Sequence, residues 1–304
     1  MIKKSINKAS FLWFLAISFT LAWAMFLLPL AAGKPGSAGW QKISIFSWAA
    51  AMWAPGLAAL LVTRFIDRKP LSSLNLGRLG PKRVYLWAWL LPFVLTVFAG
   101  LLTWLFGVGK LDLEFTVLRQ AMSQAGGAQI PPELVVLLQI AAGLTIGPLF
   151  NTLFALGEEL GWRGYLLGLL EPLGQLRAIL LSGVVWGVWH MPAILQGHNY
   201  PQHPIPGVFM MIVFCVLFGA ILSWVYLRTR SPWSAALGHG SLNAIAGLPI
   251  LFMPTVDLAF GGPLSSLVGW IPLLGFVGWL VWSRRLPVQE ESVEIQPVLA
   301  VEEA

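Results

Sequence analysis

The chain reads as an all-α, polytopic membrane protein of about eight transmembrane helices, with the N-terminus and the C-terminus both cytoplasmic. Three observations predict this. Hydrophobic residues make up 57% of the 304 and charged residues only 11%, where soluble domains carry roughly 25% charged residues. Apolar runs long enough for a ~30 Å hydrocarbon core fall near 11–32, 45–66, 84–107, 134–157, 178–197, 207–227, 233–252 and 265–283. Lys and Arg then alternate across the gaps between those runs, as the positive-inside rule requires.

The first run, Phe11–Ala32, follows Lys3 and Lys4 and resembles the start of a secretory signal. It is about a full ~20-residue span and has no small-x-small exit before Lys34, so a first transmembrane helix is expected. The run 233–252 is the weakest, because Pro232, Gly238, His239, Gly240 and Pro249 dilute it. Polar groups at that depth must face protein rather than lipid.

With the N-terminus inside, the inner segments hold Lys3, Lys4, Lys8, Arg64, Arg68, Lys69, Arg78, Lys82, Arg83, Arg163, Arg177, Arg228, Arg230, Arg284 and Arg285. The outer segments hold only Lys34, Lys42, Lys110 and Arg119. The formal charge of +6 therefore reports topology, and no basic patch points to a nucleic-acid partner. In the outer segment Gly109–Glu133, the apolar pattern Leu111, Leu113, Phe115, Val117, Leu118 and Met122 fits a helix lying on the membrane surface. The lone Cys215 permits no disulfide within the chain and reads as a small buried hydrophobe. No internal repeat is visible.

Chemistry is sought where ionisable groups meet hydrocarbon, since such groups are costly there and tend to be functional. Glu158 and Glu159 end the apolar run from Leu134 and are followed by Leu160-Gly161-Trp162-Arg163. On a helix, Glu159 and Arg163 stand at i, i+4 and can pair, while Glu158 points about 100° away and is left free. The bland reading puts both carboxylates at a helix end among lipid headgroups. His190 follows Trp186 by one helical turn and precedes Pro192, so it is either a packing residue walled by the indole or a proton carrier. His239 and Asn243 share one helix face, with Gly240 and Ser241 between them. They suit interhelical hydrogen bonds or a reactive centre alike. Depth sets a condition on the three groups meeting. Glu158 ends span four on the inner side, whereas His190 falls in the outer half of span five if that helix begins at Arg177 and runs straight. Convergence needs Glu158 deeper, or helix five starting later.

These residues resemble the type II CAAX prenyl protease family, also called CPBP or Abi intramembrane proteases. Its pattern is Glu-Glu-x-x-x-Arg, then Phe-x-x-x-His, then His-x-x-x-Asn or Asp, on successive membrane helices. Here the counterparts are Glu158-Glu159 with Arg163, Trp186 with His190, and His239 with Asn243. Trp186 departs from the usual Phe. The resemblance covers roughly 134–252 and implies that these side chains converge in a cavity. It divides the chain into N-terminal helices one to three (1–133), a catalytic core of helices four to seven (134–252), a last transmembrane helix (253–285) and a disordered acidic tail (286–304).

By resemblance, Glu158 and His190 activate a water for attack on a peptide bond, His239 and Asn243 stabilise the oxyanion, and Glu159, Arg163 and Trp186 give structural support. No cofactor is favoured. The alternative is a zinc ion on Glu158, His190 and His239 with an open position for water. The expected partners are the lipid bilayer and a membrane-embedded or lipidated protein or peptide, of which a prenylated CAAX tail is one form. Cleavage is expected near the cytoplasmic face of a prokaryotic cell membrane. A catalytically silent immunity or scaffold protein on the same fold is the competing reading. A proton-coupled transporter should show related halves, and none is seen.

Overall fold

The computed structural model describes residues 6–124 and 130–288, and every regular element among them is helical. An open chain in lipid has little choice, because backbone N–H and C=O groups in hydrocarbon must pair within the protein. All eight apolar stretches fold as helices in the expected order. Five runs, Lys8–Ala31, Ala38–Ile66, Lys82–Leu105, Pro204–Thr229 and Pro232–Phe252, are long and apolar enough to cross a membrane. A bent pair supplies a sixth, and two further helices, Gln175–Trp189 and Trp270–Trp282, are shorter than a full span. By length alone, five or six of the eight expected crossings are accounted for.

In chain order the helices that position the site are α1 (Lys8–Leu27), α2 (Ala38–Ala51), α3 (Ala54–Leu61), α4 (Lys82–Leu105), α5 (Thr116–Gln124), α6 (Pro132–Leu144) and α7 (Ile146–Glu159). After a π-helical stretch at Leu160–Leu166 come α8 (Leu167–Leu170), α9 (Gln175–Trp189), α10 (Met191–Leu195), α11 (Pro204–Thr229), α12 (Pro232–Ile245), α13 (Leu248–Phe252) and α14 (Trp270–Trp282). Helix α5 lies where a surface helix was expected, and none of its residues is buried.

The largest departure concerns span four. It was expected to end at Gly157, with the glutamates beyond it. Instead the chain bends by 49° at Thr145, and helix continues from Ile146 to Leu173. The bend has a local cause. Pro148 has no N–H for the carbonyl of Leu144, and that carbonyl instead accepts the indole N–H of Trp89 at 2.8 Å. Glu158 is consequently mid-helix, about 18 Å along the axis from Ile146 at ~1.5 Å per residue. Arg163, expected in an inner loop, is buried at 1% exposure.

Helix α7 keeps Ile146, Leu149, Phe150 and Leu153 on its exposed side and turns Thr152, Ala155, Glu158 and Glu159 inward. Its inward face packs on α12, the span that looked weakest. The small residues explain both observations: they dilute hydropathy but allow helices to approach. A Cβ on Gly240 would stand 2.5 Å from the Thr152 nitrogen, and one on Gly187 of α9 would stand 2.4 Å from the Cα of Ile212 in α11.

Side-chain hydrogen bonds define two ends of the bundle. At one, Asp67 accepts from Ser10 at 2.5 Å and from Tyr165 at 3.0 Å, Tyr85 donates to the Leu79 carbonyl, and Trp233 donates to the Leu76 carbonyl. At the other, Gln196 donates to the Phe26 carbonyl, Tyr200 to the Ser265 carbonyl, and His203 meets Asp257 at 2.8 Å. The first end carries Lys8, Arg64, Arg68, Lys69, Arg78, Lys82, Arg83, Arg177, Arg228, Arg230, Arg284 and Arg285, so the alternation of charge expected from sequence coincides with the geometry. Lys3, Lys4 and the expected acidic tail from 289 onward lie outside the described residues.

Candidate active site

Glu158, Trp186, His190, His239 and Asn243 line one cavity of about 530 Å³. The depth condition is met by the continuation of helix past Glu158, which carries the carboxylate up to the level of His190 at the end of α9. Four of these five side chains are held by groups that define what each can do.

Glu159 is fully buried, and its Oε1 takes two partners, Arg163 Nη1 at 2.9 Å and His239 Nδ1 at 2.9 Å. The expected i, i+4 pair with Arg163 is present. The guanidinium also lies over the Trp186 ring, 4.5 Å from its centroid, which suits a cation shielded from water.

Glu158, 2% exposed, has different neighbours. It is not free, as expected from sequence. Its Oε2 accepts the indole N–H of Trp186 at 2.6 Å and, more distantly, that of Trp162 at 3.4 Å. An indole N–H can only donate, so the carboxylate is solvated by neutral dipoles while Oε1 is left for another partner. Trp186 is thus more than a wall: it is a donor, a part that the usual Phe could not play. It also packs edge-on to His239, at 5.3 Å between ring centroids, and against His190 at 5.8 Å.

His190 caps α9 because Pro192 interrupts the helix. Its Nδ1 lies 2.9 Å from the Trp186 carbonyl. A carbonyl oxygen can only accept, which assigns the proton to Nδ1 and gives the neutral ring a lone pair at Nε2. Trp189 stacks edge-on at 4.8 Å. Cys215 approaches His190 at 3.9 Å and is otherwise the buried hydrophobe expected. His239, by contrast, faces a carboxylate through Nδ1 and turns Nε2 to the cavity. Asn243, one turn later on α12, is exposed within it.

Trp162 and Trp189 were missed from the sequence. Trp162 stood in view, one turn after Glu158, but an indole beside two carboxylates reads as packing until its N–H is seen to point at one of them.

A zinc ion would need donors free to converge. Among the described residues, no three His, Cys, Asp or Glu side chains are placed to hold a metal ion. Glu158 Oε2 faces two indole donors, and the Nδ1 atoms of both histidines are engaged elsewhere. As arranged, the residues do not fit a zinc site.

Comparison with known proteins agrees with the motifs. Residues 135–245 match the model of the type II CAAX prenyl endopeptidase Rce1-like family. A curated relative, CAAX prenyl protease 2 of Methanococcus maripaludis, is 34% identical over 79 residues, which are 24% of this chain and 29% of that protein. The matched stretch thus spans less than a third of the relative's length. Taken with the ordered motifs gathered around one buried cavity, this match means that the chain, a multi-pass membrane protein, belongs through residues 135–245 to the type II CAAX prenyl endopeptidase (CPBP) family.

Proposed function

We propose that the cavity hydrolyses a peptide bond of a membrane-associated protein or peptide, with Glu158 and His190 acting on the attacking water. The observation that carries this reading is the contrast in their surroundings. Glu158 is a buried carboxylate held by neutral N–H donors, and His190 presents an Nε2 lone pair to the same cavity. Both are placed to accept a proton, and proton transfer by a positioned side chain contributes about 10²–10⁴-fold to such reactions.

In the step proposed, a water in the cavity gives a proton to this pair as its oxygen bonds to the peptide carbonyl carbon. The carbonyl π electrons move to oxygen. That oxyanion needs donors, and Asn243 has an amide N–H to offer. His239 can donate from Nε2 as an imidazolium, a form that the neighbouring Glu158 and Glu159 carboxylates suit. The C–N bond then breaks, the nitrogen leaves as an amine carrying the proton held by the pair, and the carbonyl re-forms as a carboxyl group. Glu159 and Arg163 hold His239 rather than touch the substrate.

The test is cleavage of a panel of lipidated and unlipidated peptides in detergent. Glu158→Gln preserves an oxygen for the Trp186 N–H and removes the base, so cleavage should fall about 10²–10⁴-fold with expression and thermal stability retained. Undiminished cleavage by both Glu158→Gln and His190→Ala would overturn the assignment. Wild type that cleaves no member of the panel would instead favour the scaffold reading.

A further inference from the structure

We propose that the cavity is entered from the outer face of the membrane, opposite the Lys- and Arg-rich loops. For its substrate the inference rests on the peptidase reading. The substrate is then an uncharged, apolar peptide segment presented at the extracytoplasmic surface, and not a lipidated tail on the cytosolic side. This reverses the expectation that cleavage occurs near the cytoplasmic face, which had followed from placing Glu158 at the inner end of a span.

Three observations carry it. First, the cavity runs in one direction only. From Glu158 it continues past His190 to His198, Asn199, Leu264 and Ser265, all in loops at the end where Tyr200 bonds Ser265 and His203 bonds Asp257. His198 is exposed there, so the cavity reaches the surface. Second, the opposite direction is packed shut. Immediately beyond Glu158, Leu160, Trp162 and Arg163 are each at most 1% exposed, and the Glu159–Arg163–His239 cluster fills the space behind them. Third, the end that the cavity reaches is the one poor in charge. Of the Lys and Arg residues, only Lys34, Lys42, Lys110 and Arg119 lie on that side, and the positive-inside rule assigns the rich side to the cytoplasm.

The lining also limits what can enter. Among the described residues, it contains no Lys or Arg, and Glu158 is its one carboxylate. Phe26, Trp48, Met211 and Phe214 supply apolar walls. A charged segment would lose its hydration there without a partner, whereas an apolar segment would not.

Cysteine accessibility tests the route without depending on activity. Lys34→Cys and Arg78→Cys mark the two faces, both positions being exposed. Ala49→Cys and Ala246→Cys report on the cavity wall, and the native Cys215, buried at 0% exposure, serves as the blank. A small, membrane-impermeant thiosulfonate is applied to intact cells and to inverted vesicles, and the mass shift of the full chain is read. The expected result is modification of Lys34→Cys, Ala49→Cys and Ala246→Cys in intact cells, with Arg78→Cys modified only in inverted vesicles. Modification of Arg78→Cys in intact cells overturns the orientation. Cavity cysteines that react only from the Arg78 side, or from neither side, overturn the route. Failure of wild type to cleave any peptide in detergent would count against the peptidase reading alone and leave the labelling pattern as evidence on the route.

Discussion

Glu158 and Glu159 are adjacent in the chain, yet they occupy two regions of the molecule with opposite chemistry. The region behind Glu159 is closed: its carboxylate meets a guanidinium and an imidazole at 2.9 Å each and has no exposure. The region in front of Glu158 is a cavity, and the carboxylate there meets only indole N–H groups. A charge in lipid must be compensated. Compensation by a full opposite charge uses the group up as structure, whereas compensation by neutral dipoles leaves it able to exchange a proton. One helix turn separates the two outcomes, so each can be broken without the other.

The largest effect should come from the closed region. Arg163→Ala strips Glu159 of its cation, and breaking a buried pair in this way costs about 3–5 kcal/mol. The thermal midpoint in detergent should drop sharply, and cleavage should fail with the fold. Glu158→Gln should instead lose cleavage at nearly unchanged midpoint. If the two variants lose stability equally, the division between the regions is wrong.

Trp186→Phe sharpens the comparison, because it removes the short N–H donor to Glu158 and keeps the ring over Arg163. A hydrogen bond to a charged group is worth about 1.5–3 kcal/mol. Cleavage should fall about ten- to a hundred-fold with a folded, stable protein, as read by kcat/KM beside a melting curve. A variant as active as wild type would reduce Trp186 to a wall. The smallest effect is expected from a zinc chelator, which should leave wild-type cleavage unchanged if Glu158 and His190 act as proposed. Loss of cleavage restored by added zinc would return the zinc mechanism and require the histidines to turn.

The motif residues were legible in sequence because each breaks an apolar background at helical spacing, and the i, i+4 rule alone predicted the Glu159–Arg163 pair. Their depth was not legible. A reading by hydropathy ends a span at charged residues, since it scores each residue against lipid. Glu158, Glu159 and Arg163 are compensated by Trp186 and His239 from other helices, and His239 is 80 residues from Glu159 in sequence. The break at Thr145 was masked for the same reason. Gly147-Pro148 sits inside an unbroken apolar run, and only the approach of Trp89 to the Leu144 carbonyl shows where that run bends.

The sequence by itself determined the helical, membrane-spanning class, the order of the apolar helices, the charge asymmetry between the two ends and the set of residues around the cavity. Each of these follows from local composition and spacing, which transfer free energies and helix geometry act on directly. Only the tertiary structure decided that helix runs on past Glu158, that Trp186 donates to it, that the cavity reaches the charge-poor end, and that the donors do not gather for a metal. Those depend on which helices touch. In lipid, touching is governed by close packing at small residues such as Gly240 and Gly187 and by hydrogen bonds between distant segments, neither of which a window along one chain can measure.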